Sequence, residues 1–185
     1  MAKKVLIVLA DGFEEIEAVT PIDVLRRAGL EVTTAGVGKR KITGAHGIPI
    51  EADTEIDRYD GTPDAVVLPG GQPGADNLSK SEGVKRLLAR VNGKKNLIGA
   101  ICASPAVVLA PQGYLDGRKA TCYPGFEGRF GSKISFSSDR VVADGNVITS
   151  RGPGSAFEFA LELVERLVSP AKAAALSEVM LAAAR

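Results

Sequence analysis

Leu97-Ile-Gly-Ala-Ile101 is an apolar run of strand length that ends on Cys102, and Ala103-Ser104-Pro105 opens a helix over 105–110 directly after it. A strand, a sharp turn and a helix in so few residues point to a parallel α/β sheet. Its strands are covered on both faces and so read as unbroken hydrophobic runs. Outward from this stretch the same alternation recurs. Val5 to Leu9 is a continuous Val/Ile/Leu strand, and Ile16, Val19, Ile22 and Leu25 then recur every third residue until Gly29 supplies a stop. Pro21 inside that pattern predicts a kink or a restart. Glu31 to Val37, Asp64 to Leu68 and Val147 to Ser150 read as further strands. Val84, Leu87, Leu88 and Val91 mark one helix. Phe157, Leu161, Val164 and Leu167 lie on one face of another, and Pro170 divides it from a final alanine-rich helix. Gly38 to Asp53 reads as a hairpin outside the alternation, while Lys119 to Asp144 is mixed and takes no regular assignment. With no internal repeat and no linker, the reading is one doubly wound, mostly parallel α/β domain over residues 1–185.

A chain of 185 residues with 45% hydrophobic side chains can bury one substantial core. Its 23 basic and 22 acidic residues leave a formal charge of +1, so no positive field attracts nucleic acid. Aromatic residues are 5% with no tryptophan, which disfavours a base-stacking surface. After Lys3-Lys4 only six apolar residues precede Asp11, fewer than a signal-peptide core needs. No later run approaches the ~20 apolar residues of a membrane span. Two separated cysteines, Cys102 and Cys122, make no disulfide framework, so a reduced cytoplasm is the expected compartment. With His46 the single histidine, clustered zinc and iron–sulfur signatures are missing and a Ser-His-Asp triad is hard to build. No cofactor or metal is expected.

Ligands of open parallel sheets gather at the carboxyl ends of strands. Three sharp strand ends occur, at Asp11–Glu17, Pro69–Gly74 and Cys102–Pro105. Small residues lie two before and two after Cys102, namely Ala100 and Ser104. That is the spacing of a nucleophile elbow, and a helix amino terminus there would lower the thiol pKa. The alternative, a small buried hydrophobe at a strand end, is left open by spacing alone. Glu14 and Glu15 read as favourable acids of a first helical turn. Glu17 falls beside the apolar stripe, where an inward carboxyl would have a raised pKa and could share a proton with a thiolate. Pro69-Gly70-Gly71-Gln72-Pro73-Gly74 matches neither a Walker loop nor GxGxxG, so nucleotide binding is rejected. It is either a turn or a source of N–H groups for a developing oxyanion. His46 and the basic Lys39-Arg40-Lys41 read as solvated hairpin residues, and Cys122 before Tyr123-Pro124 as structural.

Together these residues resemble the DJ-1/PfpI (ThiJ/PfpI) superfamily, in its parkinsonism-associated deglycase branch. The matching segments run in order along the chain. They are Ala10-Asp-Gly-Phe-Glu-Glu-Ile-Glu17, Asp23-Val-Leu-Arg-Arg-Ala-Gly29, Val67-Leu-Pro-Gly-Gly71, Ala100-Ile-Cys-Ala-Ser-Pro105 and Thr149-Ser-Arg-Gly-Pro-Gly154. The resemblance implies a flavodoxin-like α/β sandwich that forms a homodimer, with the early helix and its Arg26 and Arg27 at the interface. It places the reactive cysteine at Cys102 and its partner carboxylic acid at Glu17. Oxyanion donors are implied at the Gly70-Gly71 loop, Cys102 and Ala103, and pocket residues at Arg151 and Pro153. The protease-like branch has histidine after the cysteine; Ala103 stands here, which disfavours a peptidase. Some deglycase-branch members have a pocket histidine where this chain has Tyr123, whose role, if any, is to donate a hydrogen bond. Many relatives carry an arginine where this chain has His46, which implies weaker and pH-dependent anion affinity near Cys102.

The function so implied is a cofactor-independent cysteine enzyme for reactive dicarbonyls. It would be a glutathione-independent glyoxalase turning methylglyoxal into lactate, or a protein deglycase releasing an amine, and the sequence does not separate these. The alternative is a redox-responsive protective protein or chaperone in which peroxide oxidises Cys102 to a sulfinate. The expected partners are a small dicarbonyl or glycated substrate and a second copy of the chain, with no nucleic acid and no membrane.

Overall fold

A computed structural model describes residues 2–182. Strand β1 (Lys4–Leu9) leads into helix α1 (Glu15–Arg27), followed by β2 (Glu31–Gly36), the short strands β3 (Lys41–Thr43) and β4 (Pro49–Glu51), and β5 (Thr54–Glu55). Strand β6 (Ala65–Leu68), helices α2 (Gly74–Lys80) and α3 (Glu82–Gly93) and strand β7 (Leu97–Ile101) come next. After a short pair, β8 (Lys119–Ala120) and β9 (Ser135–Phe136), the chain ends with β10 (Val141–Asp144), β11 (Val147–Ser150), α4 (Ala156–Leu167) and α5 (Pro170–Val179). Seven strands form the central sheet in the order β10-β11-β7-β6-β1-β2-β5. Only the β10–β11 pair is antiparallel. The result is a mostly parallel, doubly wound α/β sandwich.

Alternation along β1 explains the two layers. Val5, Ile7 and Leu9 face a core shared with α1, α4 and α5, whereas Leu6 and Val8 face one shared with α3 and Leu78 of α2. All five are essentially inaccessible, as a strand covered on both faces requires. The α3 residues Val84, Leu87, Leu88 and Val91 are buried as their spacing predicts, and Ser81 caps the helix by accepting from the Val84 N–H. No helix among the described residues is long and apolar enough to cross a membrane.

Several sequence expectations need correction. Helix α1 runs through Pro21 without a restart, because proline's fixed φ is helical and the cost is the missing donor to the Glu17 carbonyl. Its predicted stripe faces the core only in its second half: Ile16 and Val19 are about half exposed, whereas Ile22 packs against the core and Leu25 is buried, along with Glu15, Glu17, Ala18, Pro21 and Val24. A repeat of three slips against 3.6 residues per turn, so those four residues wind round the helix instead of lining one face. The segment after Cys102 is a short π-helical turn over Pro105–Leu109 followed by a 3-10 turn over Ala110–Gln112, where Pro111 removes a donor. In α4, Phe159 rather than Phe157 is the fully buried aromatic. The unassigned 119–144 stretch holds β8, β9 and the antiparallel edge strand β10. The 38–53 hairpin is present as the β3–β4 pair.

Gly99, in the middle of β7, shows how closely α4 packs. A Cβ there would stand 2.9 Å from Phe159 Cζ and 3.2 Å from Leu163 Cδ2. Gly99→Val is therefore expected to destabilise the protein by about 1–3 kcal/mol through overpacking. Urea unfolding reads this as a lower midpoint at unchanged slope, and an unchanged midpoint contradicts the packing account.

Candidate active site

The carboxyl ends of β1, β6, β7 and β11 meet around Cys102. That residue adopts φ +65°, the left-handed region that side chains other than glycine rarely occupy. Its backbone is pinned on both sides: the N–H donates to the Ser150 carbonyl at 2.9 Å and the carbonyl accepts from Tyr123 N–H at 2.8 Å. Space for the elbow comes from Gly70, where a Cβ would stand 2.6 Å from Cys102 Cβ and 2.9 Å from the Ile101 carbonyl. Buried Ser104 ties elbow to loop by donating its hydroxyl to the Pro69 carbonyl at 2.6 Å.

Glu17 reaches this point from the first turn of α1 and is fully buried. Its Oε2 accepts from Gly70 N–H at 2.8 Å, and its buried Oε1 has no conventional hydrogen-bond partner. The group facing the carboxyl is the Cys102 thiol. Burial pushes the Glu17 carboxyl up to about 7, against the pull of the Gly70 N–H and the Cys102 thiol, and the nearby Glu14 charge adds to the rise. Burial first, and the Glu17 charge second, push the Cys102 thiol up to about 12, while the N–H groups of Gly71 and Ala103 pull it down. The lowering expected from a helix amino terminus is thus outweighed by desolvation. The Glu17 contribution lasts only while that carboxyl is ionised. Once protonated, it adds no charge and can donate to sulfur.

Two expected oxyanion donors are already engaged. The Cys102 N–H is spent on Ser150 and the Gly70 N–H on Glu17. The donors directed at the thiol are those of Gly71 and Ala103. Gly71 needs to be glycine: its φ is +85° and a Cβ would stand 2.5 Å from the Glu14 nitrogen.

A cavity of about 330 Å³ opens over the sulfur, lined by Glu14, His46, Gly71, Gln72, Cys102, Ala103, Tyr123, Phe126 and Pro153. Arg151 lies outside it, bonded to the Ser138 carbonyl and bordering a neighbouring recess of about 180 Å³. His46 is exposed, as a hairpin residue should be, yet it reaches the rim because Glu15 holds it. Glu15 accepts from His46 N–H at 2.7 Å and lies 2.8 Å from His46 Nδ1. That contact and the Glu15 charge raise the His46 pKa. Glu14, Glu15 and His46 present ligand atoms within 4.8 Å of one another, but both Glu15 oxygens already serve the hairpin, with Ile48 N–H as a third donor. Glu14 caps α1 by accepting from Glu17 N–H at 2.9 Å. Glu14 and Glu15 are thus more than favourable first-turn acids. Cys122 is buried, its thiol pushed up to about 11 by burial, and it does not line the cavity. A separate groove of about 410 Å³ between α4 and α5 shares none of these residues. Gln72, Phe126 and Ser104 were not legible as site residues, because their roles depend on loop geometry; only the small size of Ser104 gave a signal.

The raised Glu17 pKa has a consequence for stability. With a folded value near 7 against an ordinary 4.5, the folded state keeps a proton that the unfolded chain has released. This contribution is present below about pH 4.5 and is lost as pH rises through 7. Glu17→Gln, which cannot ionise, is expected to unfold later than the parent near pH 8, by on the order of 3 kcal/mol. The gap should close near pH 4. Urea midpoints across that range test it, and parallel pH profiles contradict it.

Comparison with known proteins gives the family and the fold. The family model for the DJ-1/PfpI family matches residues 3–166. The Parkinson disease protein 7 homolog of Danio rerio is 46% identical over 177 residues, covering 93% of each chain. The glutathione-independent glyoxalase DJR-1.2 of Caenorhabditis elegans is 39% identical over 172 residues, covering 92% of this chain and 91% of its own. Among solved structures, the oxidized DJ-1 of Toxoplasma gondii superposes with a TM-score of 0.96 at 40% identity, covering 99% of this chain and 100% of its own. The chain belongs to the DJ-1/PfpI family.

Proposed function

We propose that the chain is a thiol enzyme that converts α-oxoaldehydes such as methylglyoxal into hydroxy acids without glutathione. The observation that carries this reading is the buried Glu17 carboxyl, with Oε2 anchored on Gly70 N–H, Oε1 without a conventional partner, and the Cys102 thiol set against the carboxyl. The likeness to a relative named as a glutathione-independent glyoxalase supports it.

The chemistry needs one proton held between the two side chains. Thiolate attack on the aldehyde carbon forms a C–S bond, and the carbonyl oxygen, facing the Gly71 and Ala103 N–H groups, takes the proton from Glu17. The freed carboxylate then removes the hydrogen on that carbon to give an enediolate and returns it to the neighbouring carbon. As the hydroxyl proton passes between the two oxygens, a thioester of the hydroxy acid results. Water cleaves its C–S bond, releasing lactate and restoring the thiol. A carboxyl poised near neutrality serves both directions of transfer. Deglycation would start from the hemiaminal that an amine forms with the dicarbonyl: Cys102 forms the C–S bond as the C–N bond breaks, the amine leaves with the Glu17 proton, and the resulting hemithioacetal follows the same course.

A second reading is a peroxide-responsive protein. Two equivalents of peroxide take the thiolate through sulfenate to sulfinate, each releasing water, and the Glu17 carboxyl, when protonated, would donate to a sulfinate oxygen. A homodimer is part of both readings. Ile16, Val19 and Ile48 are exposed apolar side chains that a second copy would cover, and a monomer in sedimentation velocity contradicts this.

Lactate formed from methylglyoxal without glutathione tests the enzyme reading. Catalytic lactate that vanishes in Cys102→Ala and falls at least a hundredfold in Glu17→Gln supports it. Lactate absent from the parent protein, or undiminished in Cys102→Ala, overturns it.

A further inference from the structure

The cavity over Cys102 is larger than methylglyoxal needs. An apolar cavity of about 150 Å³ takes a benzene ring, and this one measures about 330 Å³. Its outer part has an aromatic wall that the glyoxalase chemistry leaves unused. Tyr123 and Phe126 stand edge to face with ring centroids 6.4 Å apart at 76°. The wall is held in place from behind. The Arg129 guanidinium stacks over Phe126 at 5.3 Å, and Phe126 N–H donates to the Tyr123 carbonyl at 3.1 Å. The Tyr123 ring leans on Gly152, where a Cβ would stand 3.1 Å from its Cδ2. Pro153 borders the same space. The charges at the rim argue against an anionic occupant. Among the described residues the lining contains no lysine or arginine, Glu14 contributes a carboxyl, and the one imidazole of the lining, His46, is paired with Glu15.

We infer that Tyr123 and Phe126 form a specificity subsite for an uncharged aromatic or bulky apolar substituent, so that the preferred α-oxoaldehydes are aryl rather than methyl glyoxals. This rests on the dicarbonyl reading and names its substrate class. The aldehyde end sits at Cys102, and the substituent on the ketone carbon lies between Tyr123, Phe126 and Pro153. Atom by atom the reaction is unchanged: phenylglyoxal plus water gives mandelate through the same thioester. Tyr123 and Phe126 act on binding alone, and no proton passes through them.

The test measures product from phenylglyoxal and from methylglyoxal, as mandelate and lactate, in the parent protein and in Tyr123→Ala, Tyr123→Phe and Phe126→Leu. The expected result is a kcat/KM ratio favouring phenylglyoxal. That ratio should drop about tenfold in Tyr123→Ala and Phe126→Leu, mainly through KM, and be retained in Tyr123→Phe. Turnover of both substrates with a ratio that favours methylglyoxal, or that none of the variants moves, overturns the subsite and leaves the glyoxalase reading standing. Turnover of neither by the parent protein overturns both. Tyr123→Phe keeps the ring and so separates loss of the wall from loss of the fold.

Discussion

A carboxyl group removed from water beside a thiol is the constraint on which the rest of this site depends. Burying a carboxylate without partners is costly, and the group responds by holding its proton to higher pH. Here Glu17 receives one backbone donor, from Gly70, leaves its Oε1 without a conventional partner, and has the Cys102 thiol against its carboxyl. That arrangement requires Gly70 to lack a side chain, since any Cβ would strike Cys102 and crowd Glu17 Oε2, which it would approach to 2.9 Å. It also requires the left-handed turn at Cys102, and the hydrogen bonds to Ser150 and Tyr123 hold that strained residue in place. Strand ends, glycine loop and helix start therefore meet to set one buried carboxyl against one thiol.

The fold was legible because parallel strands buried on both faces leave unbroken apolar runs, as Val5–Leu9 and Leu97–Ile101 do. The antiparallel edge strand β10 was not, since Val141–Asp144 is half-exposed and its pattern is diluted. Helix α1 shows a subtler failure. Its most visible hydrophobic repeat begins with two side chains, Ile16 and Val19, that end up about half in solvent, while the buried side carries Glu15 and Glu17. Acids facing a protein interior break the amphipathic rule, and such breaks are where function tends to lie.

At the site, residue identity announced the chemistry but not its partners. The elbow spacing singled out Cys102, and position along α1 brought Glu17 forward. Which N–H groups remain for an oxyanion could not be read from sequence, because backbone accounting needs the neighbouring strand: Ser150 takes the Cys102 donor. The same holds for Glu15, which looks like a surface acid and instead anchors the β3–β4 hairpin through three contacts that carry His46 to the cavity rim. Phe126 belongs to an irregular loop whose course no periodicity encodes, so the aromatic wall emerges only in three dimensions.

The central claim is that Glu17 retains a proton near neutrality and directs it at Cys102. Infrared difference spectroscopy of the parent protein against Glu17→Gln, followed across pH, reads that proton directly as a protonated-carboxyl band. The account predicts a band that persists well above the ordinary carboxylate range and disappears around pH 7. A Glu17 carboxyl already ionised near pH 5 would contradict it, leaving Cys102 without a neighbouring acid.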